Sequence, residues 1–425
     1  MGKMAISTTA IDTRLSIEEF CILPFEAKRI YLNGLLPAER LQMILEDHDD
    51  KKLTWAMQPQ EVYWLFKEVG GEDAMELLTL TNPVQFLFIL DMELWRGWSF
   101  MEDKAVEYLG YLIKGGEEHF LELLPHLDFN LLSLLLCREI IVAGGIGDLN
   151  TDEERQTDWD HTFDDVFLIK FRNPKHVQVI SSFLGLICRF DNQLYTALME
   201  SVSGDIDTEM EEESYRMKSG RLADLGFPPR DEALEIYSRV NPTTFTPDSN
   251  KSLLQTNGST TLPVTFLTGK TFLEIVIPLV DSENFRMELN YLVNTALVAD
   301  QAHLANTEYM RAVVERVYGY LNIALEHLCH GDEAKGAEIL GGEYLKRLFQ
   351  LGFSIVLGLK FRAEKLNDSD YANEKALAGL KTARPLFYRG LDSDGIDGYR
   401  EFRSISDVGS VSAFLEEMEK MQERG

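Results

Sequence analysis

The sequence has little cysteine and no long apolar run. Its four cysteines lie far apart among 425 residues, which is typical of free thiols in a reducing compartment rather than of a disulfide framework. A membrane-spanning helix needs about 20 apolar residues, but the most apolar stretch, 131–142, contains Arg138 and Glu139. Residues 1–11 also lack the apolar core of a signal peptide. These absences predict a cytoplasmic protein that does not insert into a membrane.

Positive charge is also scarce. The chain has 41 Lys and Arg against 70 Asp and Glu, for a formal net charge of −29. Binding along nucleic acid requires clustered basic residues, and an anionic membrane surface would repel this charge. The sequence therefore disfavours both and is compatible with a basic protein partner or a divalent cation. A hydrophobic content of 45% is enough for a packed interior.

Four prolines share one spaced pattern. Each is followed by apolar residues four, six and seven positions later; they are Pro37, Pro59, Pro83 and Pro125. Proline suits the first turn of a helix, because its φ is already helical and its missing N–H would have no partner there. Offsets four and seven lie on one helix face, so each unit must stack its apolar ridge on a neighbour. The pattern predicts a solenoid of short helix pairs.

The rest of the chain also shows helical periodicity, and the whole sequence predicts an all-α fold. The break at 91–100 carries Trp95 and Trp98, residues 167–171 fit a short strand or a helical lead-in, and Gly226 fits a left-handed helix end. Residues 367–403 are expected to be irregular. The predicted segments are a short-helix repeat array at 17–147, an acidic loop at 148–165, a helical continuation at 166–240, a linker at 241–263 and a C-terminal helical domain at 264–425.

Two resemblances bear on the fold. The segments RLADLGFPPRDEALEIY (221–237), MELNYLVNTALVAD (287–300) and LKRLFQLGFSIVLGLKFRAEKL (345–366) resemble an uncharacterised bacterial family known only as a domain of unknown function. That family implies no activity, cofactor or catalytic residue. The proline-led repeats are similar to the cytosolic N-terminal domain of bacterial magnesium transporters, which implies a right-handed superhelix. The apolar periodicity of the later segments predicts a C-terminal helical bundle after it. Magnesium regulation does not transfer with the architecture.

The acidic loop is the best candidate for a metal site. Hard cations favour several carboxylate oxygens at close range, and the candidate ligands are Asp158, Asp160, His161, Asp164 and Asp165. The alternative is a solvated acidic insertion with no bound ion. The loop fails the EF-hand pattern, since Glu153 stands where that pattern requires glycine.

Trp95 and Trp98 are candidates for contact with a partner, because exposed aromatic side chains dominate many interfaces. The alternative is that they fill an irregular junction in the core. No nucleophile elbow, zinc motif or complete phosphate-binding loop is present, so the sequence predicts no catalytic residue and no cofactor.

Three functions remain open. The leading hypothesis is a non-catalytic interaction or scaffold protein with an acidic helical-repeat surface. The second is a regulatory sensor of a divalent cation or small ligand, and the third is an enzyme without a recognisable motif.

Overall fold

The computed structural model describes residues 14–32, 34–144, 159–204, 207–248, 251, 271–280, 282–300, 306–367, 370–392 and 395–424. The chain divides into two units. The N-terminal unit comprises residues up to 95 and 99–214, and the C-terminal unit comprises 96–98 and 215–425. The described residues are mainly helical with a few short strands, which confirms the all-α fold. Most of the predicted acidic loop (148–158) and of the predicted linker (249–250 and 252–263) lies outside the described residues.

The N-terminal unit is built from short helices with two small hairpins. Its elements are α1 Ile17–Cys21, α2 Phe25–Leu32, α3 Pro37–Leu45, α4 Asp50–Trp55, α5 Pro59–Val69, α6 Gly71–Thr79, α7 Pro83–Glu93, β1 Trp95–Arg96, β2 Ser99–Phe100, α8 Glu102–Lys114, α9 Glu117–Leu123, α10 Phe129–Glu139, β3 Ile140–Gly144, β4 Phe167–Phe171, α11 Val177–Phe190, α12 Asn192–Gly204 and the start of α13 Asp207–Asp224.

Three of the four prolines begin helices as the pattern predicts. Pro37, Pro59 and Pro83 are the first residues of α3, α5 and α7. The start of α7 is further stabilised by Asn82, whose side chain accepts a hydrogen bond from the Gln85 backbone N–H at 2.9 Å. The apolar ridges of these helices pack as expected, since α5 contacts both α3 and α7. The handedness of the array stays a prediction.

The prediction for Pro125 was wrong. Pro125 lies in a short 3₁₀ turn, 124–126, and α10 begins only at Phe129. The carboxylate of Asp128 accepts hydrogen bonds from the backbone N–H groups of Asn130 and Leu131, at 3.0 and 3.4 Å. Aspartate is a strong N-cap, so it starts the helix at this position in place of the proline.

A two-stranded antiparallel sheet interrupts the helices where the repeat array was expected to continue to 147. Strand β3 pairs with β4 in a register that joins Ile140 to Phe171 and Gly144 to Phe167. Ile140, Ile169 and Phe167 are buried. The β-branched run at the start of β3 favours a strand, and the short-strand interpretation of 167–171 is confirmed.

The C-terminal unit is a bundle of longer helices. It contains the end of α13, then α14 Arg230–Leu234, α15 Phe272–Val280, α16 Glu283–Ala299, α17 Thr307–Cys329, α18 Glu333–Gly342, α19 Leu345–Ala363, α20 Tyr371–Lys381, β5 Phe387–Tyr388, β6 Tyr399–Arg400 and α21 Ile405–Arg424. Gly226 follows α13 with φ +84°, and the Phe227 N–H donates back to the Leu222 carbonyl at 2.9 Å. This confirms the predicted left-handed helix end.

Two glycines allow α17 and α19 of this unit to pack closely against their neighbours. A Cβ at Gly352 of α19 would lie 2.0 Å from the Tyr320 carbonyl oxygen of α17. A Cβ at Gly319 of α17 would lie 1.9 Å from the Phe402 carbonyl oxygen. No side chain larger than hydrogen fits either position, so both contacts depend on glycine.

The expectation of an irregular region at 367–403 was partly wrong, since it contains α20, β5 and β6. Helix α20 begins after Asp370, whose carboxylate caps the backbone N–H groups of Ala372 and Asn373. Among the described residues no single helix combines the length and apolarity of a membrane span. One pair bent by 110°, residues 117–126 and 129–139, meets those criteria only when taken together.

Candidate functional site

The described part of the acidic loop uses its polar groups to hold the β3–β4 sheet. The Asp160 carboxylate accepts a hydrogen bond from the Phe171 backbone N–H at 2.9 Å. The backbone of His161 pairs with that of Ile169 in both directions, at 3.1 and 2.9 Å. Asp158 lies outside the described residues.

The next two acids of this loop lie in a tight turn. Asp164 Oδ1 accepts hydrogen bonds from the backbone N–H groups of Val166 and Phe167, each at 3.0 Å. Asp165 adopts a left-handed φ of 58°, and its N–H donates to the Thr162 hydroxyl at 3.0 Å. At least two of the predicted metal ligands, Asp160 and Asp164, therefore direct carboxylate oxygens at backbone donors, as turn residues do.

The structure brings together another group with metal-ligand chemistry that the sequence reasoning did not single out. Asp47, His48 and Asp49 each offer one ligand atom, and these atoms lie within 4.8 Å of one another. However, Asp47 is buried, and its Oδ2 lies 2.5 Å from the equally buried Lys28 Nζ. Lys28 thus already neutralises the innermost carboxylate, and an added cation would compete with it.

The tryptophan break at 91–100 forms a β-hairpin. Trp95 is 8% exposed and packs against Phe100 with ring centroids 5.4 Å apart, which is the cross-strand pair that fixes the hairpin. Gly97 has φ +63°, whereas the next loop residue, Trp98, has a negative φ. A positive φ at the first of two loop residues fits a type II′ turn. Trp95 is therefore part of the core, and Trp98 lies at the tip.

The base of the hairpin is tied to helix α13. The Phe100 backbone N–H donates to Glu211 Oε1 at 2.9 Å, and the other oxygen of Glu211 accepts from Arg138 Nη2 at 2.9 Å. These bonds lie within the N-terminal unit and connect β2, one of the two strands that carry the loop, to α13.

Trp98 is 67% exposed, although tryptophan is usually largely buried. Its ring contacts the ring of Tyr215 with centroids 4.5 Å apart and planes inclined by 34°. Lys218 Nζ lies 5.1 Å from the centroid of the same Tyr215 ring. Trp98 is thus an exposed aromatic side chain whose ring contacts a second aromatic ring.

A buried charge cluster in the C-terminal unit was invisible in the sequence. Arg316 donates from Nε and Nη2 to the two oxygens of Glu401, at 3.0 and 2.7 Å, and its Nη1 pairs with Asp300. Asp300 also accepts from the Tyr237 hydroxyl at 2.8 Å and pairs with Arg384. The side chains of Asp300 and Glu401 are 0% and 4% exposed. This burial raises the pKa of both carboxyls, and the Arg316 guanidinium opposes the rise.

This cluster is balanced, with two guanidinium groups facing two carboxylates. Every charge has a partner of opposite sign, and both oxygens of Glu401 are hydrogen-bonded. Such an arrangement is typical of a structural contact, which here holds α17 to the segment around residue 401. It does not present an open nucleophile, acid or base to a substrate.

The N-terminal unit also contains a small apolar cavity of about 30 Å³. Eleven of its twelve lining side chains are hydrocarbon, and the twelfth belongs to Tyr108. A substrate site normally adds several convergent polar groups to an apolar wall. This cavity lacks them, so it gives no support to the enzyme alternative.

The negative charge of the protein is concentrated in one unit. Along the printed sequence the N-terminal unit carries 40 Asp and Glu against 16 Lys and Arg, a formal net charge of −24. The C-terminal unit carries 30 against 25, a formal net charge of −5. The N-terminal unit therefore carries most of the acidic character.

Comparison with known proteins gives a family and no activity. A family model described as "Family of unknown function (DUF6178)" matches residues 17–424, which is nearly the whole chain. No curated protein and no solved structure matches the sequence. The resemblance of the repeats to the magnesium-transporter domain therefore stays an expectation.

Proposed function

We propose that this protein, which belongs to that family of unknown function, is a non-catalytic interaction protein whose acidic N-terminal unit binds a basic protein partner. The observation that carries the proposal is the charge difference between the units, −24 against −5. A surface of one sign attracts partners of the other sign and speeds their association by about 10- to 1000-fold at low salt. A cytoplasmic location is part of the proposal.

The acidic side chains that would attract the basic partner are on the surface of the N-terminal unit. Several of its described helices carry exposed glutamates, among them Glu18 of α1, Glu76 of α6, Glu118 of α9, Glu200 of α12 and Glu212 of α13. Short helices with apolar inner ridges leave their polar faces outward, so the repeat architecture itself places these carboxylates in water. Nucleic acids and anionic membranes would be repelled by the same surface.

The test is a pair of charge-reversal variants. The first changes Glu18, Glu76, Glu118, Glu200 and Glu212 to Lys. The matched control changes five exposed glutamates of the C-terminal unit to Lys, namely Glu308, Glu333, Glu338, Glu374 and Glu417. Both variants reverse the same number of charges, so only the location of the change differs.

Wild type and both variants are used as bait in the source cell, with washes of increasing salt and mass spectrometry. We expect wild type and control to retain one basic partner that high salt removes, and the N-terminal variant to lose it. Association rates of the purified partner should fall about tenfold or more for the N-terminal variant only. Equal binding by all three proteins would refute the proposal.

A further inference from the structure

His176 lies between two carboxylates of the N-terminal unit. It precedes the first residue of α11, Glu139 is the last residue of α10, and Asp103 lies in the first turn of α8. All three residues belong to the same unit, in which α8 contacts both α10 and α11. The side chains of Glu139 and His176 are 3% and 13% exposed, whereas that of Asp103 is 86% exposed. The imidazole therefore joins a buried carboxylate to one in solvent.

The buried contact orients the imidazole and determines its tautomer. Nδ1 of His176 lies 2.9 and 3.0 Å from the two oxygens of Glu139. An ionised carboxylate can only accept a hydrogen bond, so Nδ1 carries the proton of this contact. The amide nitrogen of Asn173 also lies 3.0 Å from Nδ1, but it is itself a donor. In the neutral ring the lone pair is then on Nε2, on the side of Asp103.

The exposed contact has the spacing of two ligands on one metal ion. Nε2 of His176 lies 3.4 Å from Asp103 Oδ1, whereas hydrogen bonds between a charged donor and a carboxylate are about 2.7–2.9 Å long. Nitrogen and oxygen ligands bind tetrahedral zinc at about 2.0–2.1 Å, which separates two of them by about 3.3–3.4 Å. The two atoms are thus too far apart for a strong hydrogen bond and correctly spaced for an ion between them.

We propose that His176 Nε2 and Asp103 Oδ1 bind a zinc ion at the surface of the N-terminal unit. Imidazole and carboxylate are ligands that zinc accepts, and water would fill the remaining positions on the solvent side. Glu139 is a positioning residue, because a carboxylate that accepts the other ring N–H of a ligating histidine orients the ring and makes it more basic. This inference goes beyond the proposed function and requires no partner protein.

The charges around Asp103 favour an added cation. The adjacent Lys104 donates to Glu107 at 2.7 Å, and among the described residues Asp103 has no ion pair except the one with His176. The site differs in this respect from Asp47, which is already paired with the buried Lys28. The formal charge of −24 on this unit also attracts cations.

The test titrates the purified full chain with Zn²⁺ in competition with a chromophoric zinc chelator, which gives the affinity. We expect Glu139→Gln to weaken zinc binding by about tenfold or more, and His176→Gln and Asp103→Ala, which each remove a ligand, to weaken it further. Because Asp103 is exposed, Asp103→Ala should remain folded, so misfolding cannot account for its loss of binding. Absence of zinc binding by wild type, or wild-type affinity in Asp103→Ala and His176→Gln, would overturn the inference.

Two matched controls test the location. Glu118 is an exposed acid at the second position of α9, as Asp103 is at the second position of α8. His48 lies in the other cluster with metal-ligand chemistry. Glu118→Ala and His48→Gln should therefore bind zinc as wild type does. If either loses as much affinity as Asp103→Ala, the ion is not held specifically by His176 and Asp103, and the inference is wrong.

X-ray absorption at the zinc edge identifies the ligand atoms. The chain has four free thiols, which are the alternative ligands, and Zn–S bonds of about 2.3 Å are longer than Zn–N and Zn–O bonds of about 2.0–2.2 Å. We expect the shorter bonds alone in wild type. A sulfur ligand would place the ion at a cysteine and overturn the inference.

Discussion

Replacing Arg316 by Met would leave a buried carboxylate without its partner. The Arg316 guanidinium provides two hydrogen bonds to Glu401, at 3.0 and 2.7 Å, and the Glu401 side chain is only 4% exposed. Asp300 would still pair with Arg384 and Tyr237. Removing one member of a buried pair costs about 3–5 kcal/mol, so we expect the free energy of unfolding at about pH 7.5 to fall by about that amount.

The loss should depend on pH in one direction. Burial already raises the pKa of Glu401, and Arg316 opposes that rise, so its removal raises the pKa further. A carboxyl with a higher pKa in the folded state binds its proton more tightly there. Its cost to stability is therefore absent below the unfolded pKa, grows as pH rises from the unfolded to the folded pKa, and is complete above the folded pKa. The variant should therefore be most destabilised at neutral pH and least near pH 4, where unfolded Glu titrates.

Urea denaturation of wild type and Arg316→Met at about pH 7.5 and about pH 5 measures the size of the loss in unfolding free energy and the direction of its pH dependence. The control is the double variant with Glu401→Leu, which removes both charges and should recover most of the loss, as apolar replacement of buried pairs often does. A loss below about 1 kcal/mol, or one that is unchanged between the two pH values, would refute the account of the cluster.

Two further predictions concern packing and the acidic loop. Gly352→Ala should lower the free energy of unfolding by about 1–3 kcal/mol, because its methyl group would collide with the Tyr320 carbonyl. Gly358→Ala, on the same helix with nothing within 4 Å, should raise it by about 0.5–1 kcal/mol; equal losses in urea denaturation would contradict the close contact. Asp164→Ala removes an acceptor of two backbone hydrogen bonds and should cost about 1–2 kcal/mol. Calcium should not change the wild-type melting temperature, and a calcium-dependent rise that Asp164→Ala abolishes would establish an ion site.

The sequence correctly predicted helix ends that are determined by one or two residues close to the end itself. Pro37, Pro59 and Pro83 begin helices because proline determines φ at its own position, and the end of α13 followed from Gly226 and Phe227. Pro125 failed because Asp128, only three residues later, competes for the same helix start. Local rules work where one signal is present and fail where two compete.

The hairpin at Trp98 was missed although its signal was present. Gly97 and Trp98 form a two-residue loop between the aromatic pair Trp95 and Phe100, which is a recognised hairpin pattern. The helical periodicity of the residues on both sides of the loop conceals this signal. Helix α20 was missed for a different reason: its buried positions include small residues such as Ala376 and Gly379, which give a weak apolar stripe.

The charge cluster could not have been predicted from local sequence. Asp300 and Glu401 lie 16 and 85 positions from Arg316, and each has many other oppositely charged residues nearer along the chain. Only the packing of α17 against the segment around 401 selects this combination.

The same separation has a consequence for synthesis on the ribosome. Chains emerge from the N-terminus onward, so α17 is made well before Glu401 and before Phe402, whose backbone packs against Gly319. During that interval the Arg316 guanidinium lacks its two-bond acceptor and must remain hydrated, which keeps this face of α17 from closing. We expect the C-terminal unit to complete its packing late in translation, because a nascent chain stalled before residue 401 lacks the contacts that Glu401 and Phe402 make with α17.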